Sequence, residues 1–155
     1  MYRQLGPMAG RQLGIVQVGC IRLLIIEDSA TARAIIEQIV IQEPGAEIVG
    51  VASSSEQARV LLRTLKPNVI TLDLHMPGMG GLAFLDDFGG PRHAPVVVLS
   101  SSTTKGSAVA KESIERGATA CFDKASLTRE AARFRQVLCR AIASHDRVAT
   151  ASVYG

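Results

Sequence analysis

The fold is decided by a short stretch near the amino terminus, IRLLIIED at residues 21–28. Its aliphatic part is typical of a strand buried on both faces of a sheet, and two acids follow that strand directly. The arrangement returns at residues 69–73, where VITL ends on Asp73. Two buried strands that end on carboxylates indicate a parallel sheet that carries polar chemistry at one edge.

Strand patterns and helix patterns alternate along the rest of the chain. Ser53 and Glu56 fit a capping box for one helix, and Ser126 fits a cap for the last one. Apolar spacing predicts helices at residues 29–42, 53–65, 82–88, 106–116 and 127–143, and aliphatic runs predict strands at 47–52, 96–100 and 120–123. The alternation predicts an α/β fold of parallel strands, with right-handed crossovers and helices on both faces.

One domain accounts for this pattern, and we expect it to span residues 21–143. Residues 1–20 and 144–155 lack regular periodicity and are expected to form loose tails. The dozen residues after 143 are too few to bury a second core. A signal peptide or a lipidated Cys20 is the alternative for the amino terminus, but the apolar part is short and Gln17 interrupts it.

Composition narrows the class of protein. The net charge is +3 over 155 residues, and Lys and Arg are scattered, so a nucleic-acid patch is not indicated. Three cysteines without metal-type spacing suggest reduced thiols in the cytoplasm. Apolar runs stay well below the roughly 18 residues that cross a membrane. We therefore expect a cytoplasmic protein that binds neither nucleic acid nor membrane.

Polar residues gather at the carboxyl ends of the predicted strands, where open parallel sheets bind ligands. These residues are Glu27, Asp28, Asp73, Ser100 and Lys124. Carboxylates about 4 Å apart repel by roughly 4 kcal/mol near a surface, so three stay ionised together only around a cation. Oxygen ligands favour Mg²⁺. A carboxylate beside it can act as a nucleophile toward phosphorus, with the lysine offsetting phosphoryl charge.

In these residues the chain resembles response-regulator receiver domains over residues 21–143. The likeness rests on the acids after the first strand, Ser100 and Lys124, and on Asp73 followed by Met76-Pro77 and Gly81. Residues 70–77 and 99–107 look like the receiver domain of the chemotaxis methylesterases. The resemblance implies a flavodoxin-like, doubly wound (βα)5 fold with five parallel strands in the order 2-1-3-4-5.

The resemblance also implies a role for each site residue. Asp73 would be the phosphoacceptor, and Mg²⁺ would be held by Glu27, Asp28, Asp73 and the backbone carbonyl of His75. Ser100 would be the switch hydroxyl, and Lys124 would pair with the phosphoryl group. A sensor histidine kinase or phosphotransfer protein would be the donor. Phosphorylation would switch the face of the fourth helix, fifth strand and fifth helix for a downstream protein or an effector domain. The oligomeric state stays open.

Three residues depart from the family pattern. Ala125 follows Lys124 where the family usually has proline, so a cis peptide is not expected there. Cys121 takes the place of an aromatic residue that swings inward on activation, so output would depend on the Ser100 loop or on Phe122. His75 is expected to influence the lifetime of the phosphoryl group, in a direction that the sequence leaves open.

Two other functions compete with the signalling switch. An aspartate-nucleophile phosphohydrolase commonly has a second acid two residues after its nucleophile, where this chain has His75. A scaffold that needs no phosphorylation would not require the acids. The printed sequence contains no Gly-x-Ser-x-Gly motif, so esterase activity is not predicted. We expect no turnover enzyme, only self-catalysed phosphotransfer and dephosphorylation.

Overall fold

The computed structural model describes residues 20–76, 80–101 and 107–154, with side chains as far as Asp146. The predicted amino-terminal tail therefore lies outside the described residues, except for Cys20. Its thiol lies 3.4 Å from the carbonyl oxygen of Gly45. Cys20, Cys121 and Cys139 are all free thiols.

Five strands and five helices alternate along the described chain. The strands are β1 (Arg22–Ile26), β2 (Glu47–Ala52), β3 (Val69–Asp73), β4 (Val96–Ser100) and β5 (Ala120–Asp123). The helices are α1 (Ala30–Val40), α2 (Ser55–Thr64), α3 (Gly81–Phe88), α4 (Ala108–Glu115) and α5 (Ala131–Tyr154), and a 3₁₀ helix at Lys124–Ser126 follows β5. The strands form one parallel sheet in the order β2-β1-β3-β4-β5, which confirms the predicted flavodoxin-like fold.

The sheet separates two hydrophobic cores, because side chains along a strand alternate between its faces. Leu23 and Ile25 of β1 belong to the core that α1 and α5 cover. Leu24 and Ile26 belong to the opposite core, under α2 and α3. Residues of β3 and β4 are buried throughout. The polar side chains that these strands bring to the edge of the sheet are those of their last residues, Asp73 and Ser100.

The cap of α2 differs from the prediction by one residue. Ser54 is the N-cap, and its hydroxyl accepts a hydrogen bond from the backbone N–H of Gln57 at 3.1 Å. The amide oxygen of Gln57 reaches back to the backbone N–H of Ser53 at 2.7 Å. Gln57 stands at the third helical position, so it takes the reciprocal role that the prediction assigned to Glu56.

The predicted bounds of the last helix are wrong at both ends. The chain passes through the 3₁₀ helix and a turn before α5 begins at Ala131, so Ser126 does not cap α5 directly. The helix then continues to Tyr154, through residues expected to be loose. Residues 144–154 contain neither proline nor glycine, so nothing in this stretch breaks the helix. None of the described helices is long and apolar enough to span a bilayer.

Candidate active site

Three acids meet at the carboxyl edge of the sheet. Glu27 and Asp28 follow β1, and Asp73 ends the neighbouring strand β3. One carboxylate oxygen from each lies within 4.8 Å of the others. Glu27 is 0 % exposed and Asp73 is 2 % exposed, whereas Asp28 is exposed. The cluster is therefore an oxygen-lined site with one side open to solvent.

Lys124 reaches this cluster from the end of β5. Its ammonium nitrogen lies 3.0 Å from each carboxylate oxygen of Glu27 and 3.3 Å from Oδ2 of Asp73. The lysine side chain is 23 % exposed, so the ion pairs are largely shielded from water. The fold thus brings together the acids and the lysine that the sequence had placed at strand ends.

The electrostatics of the site follow from burial and from these neighbours. Burial raises the pKa of Glu27, and the lysine ammonium only partly opposes this effect. Burial also acts to raise the pKa of Asp73, but the backbone N–H of His75, the Glu27 carboxyl and Lys124 together hold that pKa below its ordinary value. Burial acts to lower the pKa of Lys124, yet the two carboxylates outweigh it and raise that pKa. The surroundings of Asp73 therefore favour the ionised form of its carboxylate, whereas burial disfavours that form for Glu27.

One atom of the cluster tests whether a divalent cation fits. Oε1 of Glu27 is buried and makes no hydrogen bond, although the Lys124 ammonium lies 3.0 Å away. A buried acceptor without a donor costs about 1–3 kcal/mol, and a cation among the carboxylates would offset that cost. Mg²⁺ takes oxygen ligands from one or two carboxylates and keeps several waters, so a carboxylate cluster with an open side suits it. The residues present fit this metal.

The position of Glu27 is also fixed by a residue that the sequence analysis missed. The guanidinium of Arg33, in α1, donates a hydrogen bond to the backbone carbonyl of Glu27 at 2.9 Å. The backbone N–H of Ser29 donates to the Glu27 carboxylate at 3.1 Å. Arg33 lies one turn after the N-cap Ser29, but helical spacing carries no information on which carbonyl the side chain meets.

His75 and Ser100 are joined by a contact that the sequence did not reveal. The backbone N–H of His75 donates to Oδ1 of Asp73 at 3.0 Å. Its imidazole Nε2 lies 3.0 Å from Oγ of Ser100, at the end of β4. Ser100 is 0 % exposed, while His75 lies at the surface. The imidazole therefore links the loop after the central acid to the buried hydroxyl of the next strand.

Comparison with known proteins assigns this arrangement to a family. The family model described as "Response regulator receiver domain" matches residues 23–133. The chain belongs to the response-regulator receiver family. The receiver is 28 % identical to the response regulator domain of Thermotoga maritima CheB, with a TM-score of 0.71, over 79 % of this chain and 96 % of that one.

Curated relatives of this receiver are chemotaxis methylesterases. It is 35 % identical over 133 residues to protein-glutamate methylesterase/protein-glutamine glutaminase 1 of Caulobacter vibrioides, covering 86 % of this chain and 38 % of the relative. It is 43 % identical over 98 residues to the corresponding protein of Nitrosomonas europaea, covering 63 % of this chain and 27 % of the relative. The chain thus spans well under half the length of these relatives.

Cys121, which departs from the family pattern, and its neighbour Phe122 have defined surroundings. Cys121 is half-buried, its thiol lies 3.6 Å from the carbonyl oxygen of Ala110, and burial raises its pKa. Phe122 is 2 % exposed and packs edge-on against Phe134 of α5, with ring centroids 5.1 Å apart. Cys121 is therefore a packed apolar residue on the α4 side, and Phe122 is fixed on the opposite side of β5.

Glu27→Gln is expected to stabilise the metal-free receiver at neutral pH. The folded chain binds the Glu27 proton more tightly than the unfolded chain, because the pKa of Glu27 is raised from 4.5. That contribution is present below pH 4.5 and is lost as pH rises through the higher folded value. Asp73 acts in the other direction, since its lowered pKa costs stability only as pH falls below 3.8.

Urea unfolding between pH 4 and pH 8 measures this effect. The variant should be more stable than the wild type at pH 7, and the two curves should converge toward pH 4. Saturating Mg²⁺ should reverse the order, because the wild type gains a bound ion. Parallel curves at every pH would show that the Glu27 charge carries no cost in the fold.

Proposed function

We propose that this receiver is a signalling switch that accepts a phosphoryl group on Asp73 from a histidine kinase or phosphotransfer protein in the cytoplasm. One observation carries the proposal. Asp73, which is 2 % exposed, belongs to the oxygen-lined cluster of three acids, and its Oδ2 lies 3.3 Å from the Lys124 ammonium. A buried carboxylate beside an ammonium, in a cluster of acids that could hold a divalent cation, is an arrangement suited to phosphoryl transfer.

The transfer step uses groups that the fold already orients. A carboxylate oxygen of Asp73 bonds to phosphorus as the bond from phosphorus to the donor's imidazole nitrogen breaks, and that nitrogen keeps the electron pair. Lys124 donates hydrogen bonds to the phosphoryl oxygens. Glu27, Asp28, Asp73 and the His75 carbonyl would hold Mg²⁺, which offsets negative charge on those oxygens when bound.

The response to phosphorylation would begin at Ser100. A new dianionic group on Asp73 attracts the Ser100 hydroxyl, which then gives up its contact with the His75 imidazole. Ser100 pairs with Asp123 across β4 and β5, so its movement is passed to β5 and to the α4-β5-α5 face. Cys121 has no ring to swing and Phe122 is fixed in the core, which leaves the Ser100 loop as the route to a downstream protein or effector domain.

The phosphohydrolase alternative is less well supported. Such an enzyme would have its second acid two residues after the nucleophile. This chain has His75 there, and its imidazole Nε2 lies 3.0 Å from Oγ of Ser100. We propose self-catalysed phosphotransfer and dephosphorylation only, with no turnover of a metabolite. The methylesterase activity named for the relatives is not part of this proposal.

Intact mass spectrometry after incubation with acetyl phosphate tests the switch. The wild type in Mg²⁺ is expected to gain the mass of one phosphoryl group, and a chelator should prevent that gain. The reason is that the phosphoryl group adds negative charge to a cluster of acids, and a bound cation would offset that charge. If no mass is gained at any time point and Mg²⁺ does not bind either, the scaffold function takes the place of the switch. Steady release of phosphate from a phosphorylated metabolite would instead favour the phosphohydrolase.

A further inference from the structure

The backbone around Lys124 is held by a side chain with no role in the proposed chemistry. Oδ1 of Asp123 accepts a hydrogen bond from the backbone N–H of Ala125 at 3.0 Å. The hydroxyl of Ser126 donates to Oδ2 of Asp123 at 3.3 Å, and the guanidinium of Arg129 donates to that hydroxyl at 3.2 Å. Asp123 is thus the N-cap of the 3₁₀ helix that contains Lys124.

We propose that Asp123 is a positioning residue that aims the Lys124 ammonium at Glu27 and Asp73. The aiming itself is a property of the metal-free fold. Its effect on phosphorylation rests on the proposed function of Asp73 as phosphoacceptor.

The residues on either side of this turn are anchored, so the turn alone sets the direction of the lysine. Phe122 and Leu127 are both 2 % exposed and belong to the same core. Within the turn, the hydrogen bond from the backbone N–H of Leu127 to the carbonyl oxygen of Lys124 is 3.3 Å long. It is longer than the 3.0 Å hydrogen bond from the backbone N–H of Ala125 to Asp123. A lysine side chain is flexible, so the position of its ammonium depends on where the backbone points the stem.

The role of Asp123 depends on the backbone N–H of Ala125. The peptide between Lys124 and Ala125 is trans, and Ala125 supplies the N–H that Asp123 accepts. A proline at position 125 has no N–H, so this hydrogen bond exists only because the chain departs from the family pattern there. The acid at position 123 is therefore matched to the residue that stands in place of proline.

Four proteins test the proposal: the wild type, Asp123→Ala, Lys124→Met and the double variant. Asp123→Ala removes both acceptors and is expected to slow phosphorylation by acetyl phosphate in saturating Mg²⁺ by about tenfold, since the ammonium loses its aim. In the Lys124→Met background, Asp123→Ala should cause no further slowing. Equal slowing in both backgrounds overturns the proposal, because Asp123 would then act independently of the lysine.

A conservative variant separates aiming from general damage to the fold. Asp123→Asn keeps a carbonyl oxygen for the Ala125 N–H and should recover most of the rate. If Asp123→Asn is as slow as Asp123→Ala, a carboxylate charge rather than the turn is responsible, and the proposal fails.

Urea unfolding of the same four proteins without metal tests the aiming role independently of phosphorylation. The change in unfolding free energy caused by Lys124→Met should shrink when Asp123 is already alanine, because the ammonium no longer reaches the carboxylates. An unchanged effect of Lys124→Met rejects the aiming role. If the wild type gains no phosphoryl group but this coupling is present, the proposed function fails and the positioning role stands.

Discussion

Asp73→Asn is expected to abolish phosphorylation, with a loss of at least about a thousandfold in the rate of phosphoryl gain from acetyl phosphate. An amide oxygen is a far weaker nucleophile than a carboxylate. The side chain has nearly the same shape, and the backbone N–H of His75 can still donate to its oxygen. The loss should therefore come from chemistry and not from misfolding. Intact mass and circular dichroism on the same sample measure both quantities.

Asp28→Asn is the matched control for this experiment. Asp28 is the exposed member of the cluster and is not the proposed nucleophile. Its amide variant should need more Mg²⁺ but should reach the same final mass as the wild type at high metal. If Asp73→Asn gains a phosphoryl group at the wild-type rate, peptide mapping would locate another acceptor and the proposed site would be wrong.

Gly81→Ala is expected to disturb both the fold and the site. A Cβ at position 81 would lie 2.8 Å from the side chain of Leu74, 2.9 Å from its Cα and 3.2 Å from the carbonyl oxygen of Asp73. Two of these atoms belong to the backbone of Asp73, the last residue of β3, and of Leu74 directly after it, so a shift there would also move Asp73. We expect a loss of about 1–3 kcal/mol in stability. The rate of phosphorylation should fall by about tenfold, because the nucleophile is displaced.

The neighbouring glycine offers a control one residue away. A Cβ on Gly80 meets nothing within 4 Å, and its φ of −66° suits any residue. Gly80 is also the N-cap of α3, where serine is favoured. Gly80→Ser should therefore match the wild type in urea midpoint and phosphorylation rate. Equal behaviour of Gly80→Ser and Gly81→Ala would show that the close approach at Gly81 has no energetic consequence.

The sheet and the acidic cluster were predictable because they depend on periodicity and on strand ends. Parallel strands place their carboxyl ends at one edge, so Glu27, Asp73 and Lys124 had to meet once the strands were recognised. The ion pair between residues 27 and 124 spans 97 residues of sequence and still follows from this rule. The rule predicts which side chains share an edge, but not which atoms bond.

Contacts of individual side chains were not predictable, because they depend on differences of one residue or of about an ångström. Asp123 looked like the polar end of a strand, and its two hydrogen bonds become visible only with the turn in place. The capping pair shifted from Ser53 to Ser54 since adjacent serines are equivalent in a pattern. The imidazole of His75 meets Ser100 across 25 residues, a distance that no periodicity links.

The length of α5 gives the receiver a mechanical property. Its 24 residues extend about 36 Å, roughly twice the span of a five-residue strand. Buried Phe134, Leu138 and Ile142 clamp its first half against the sheet, beside β5. Only the second half of the helix, about 18 Å long, extends beyond these contacts, so a tilt of ~5° at the end of the packed half would move the far end by about 1.6 Å. A small adjustment at the edge of the sheet that carries Asp73 would thereby be passed to the opposite end of the molecule.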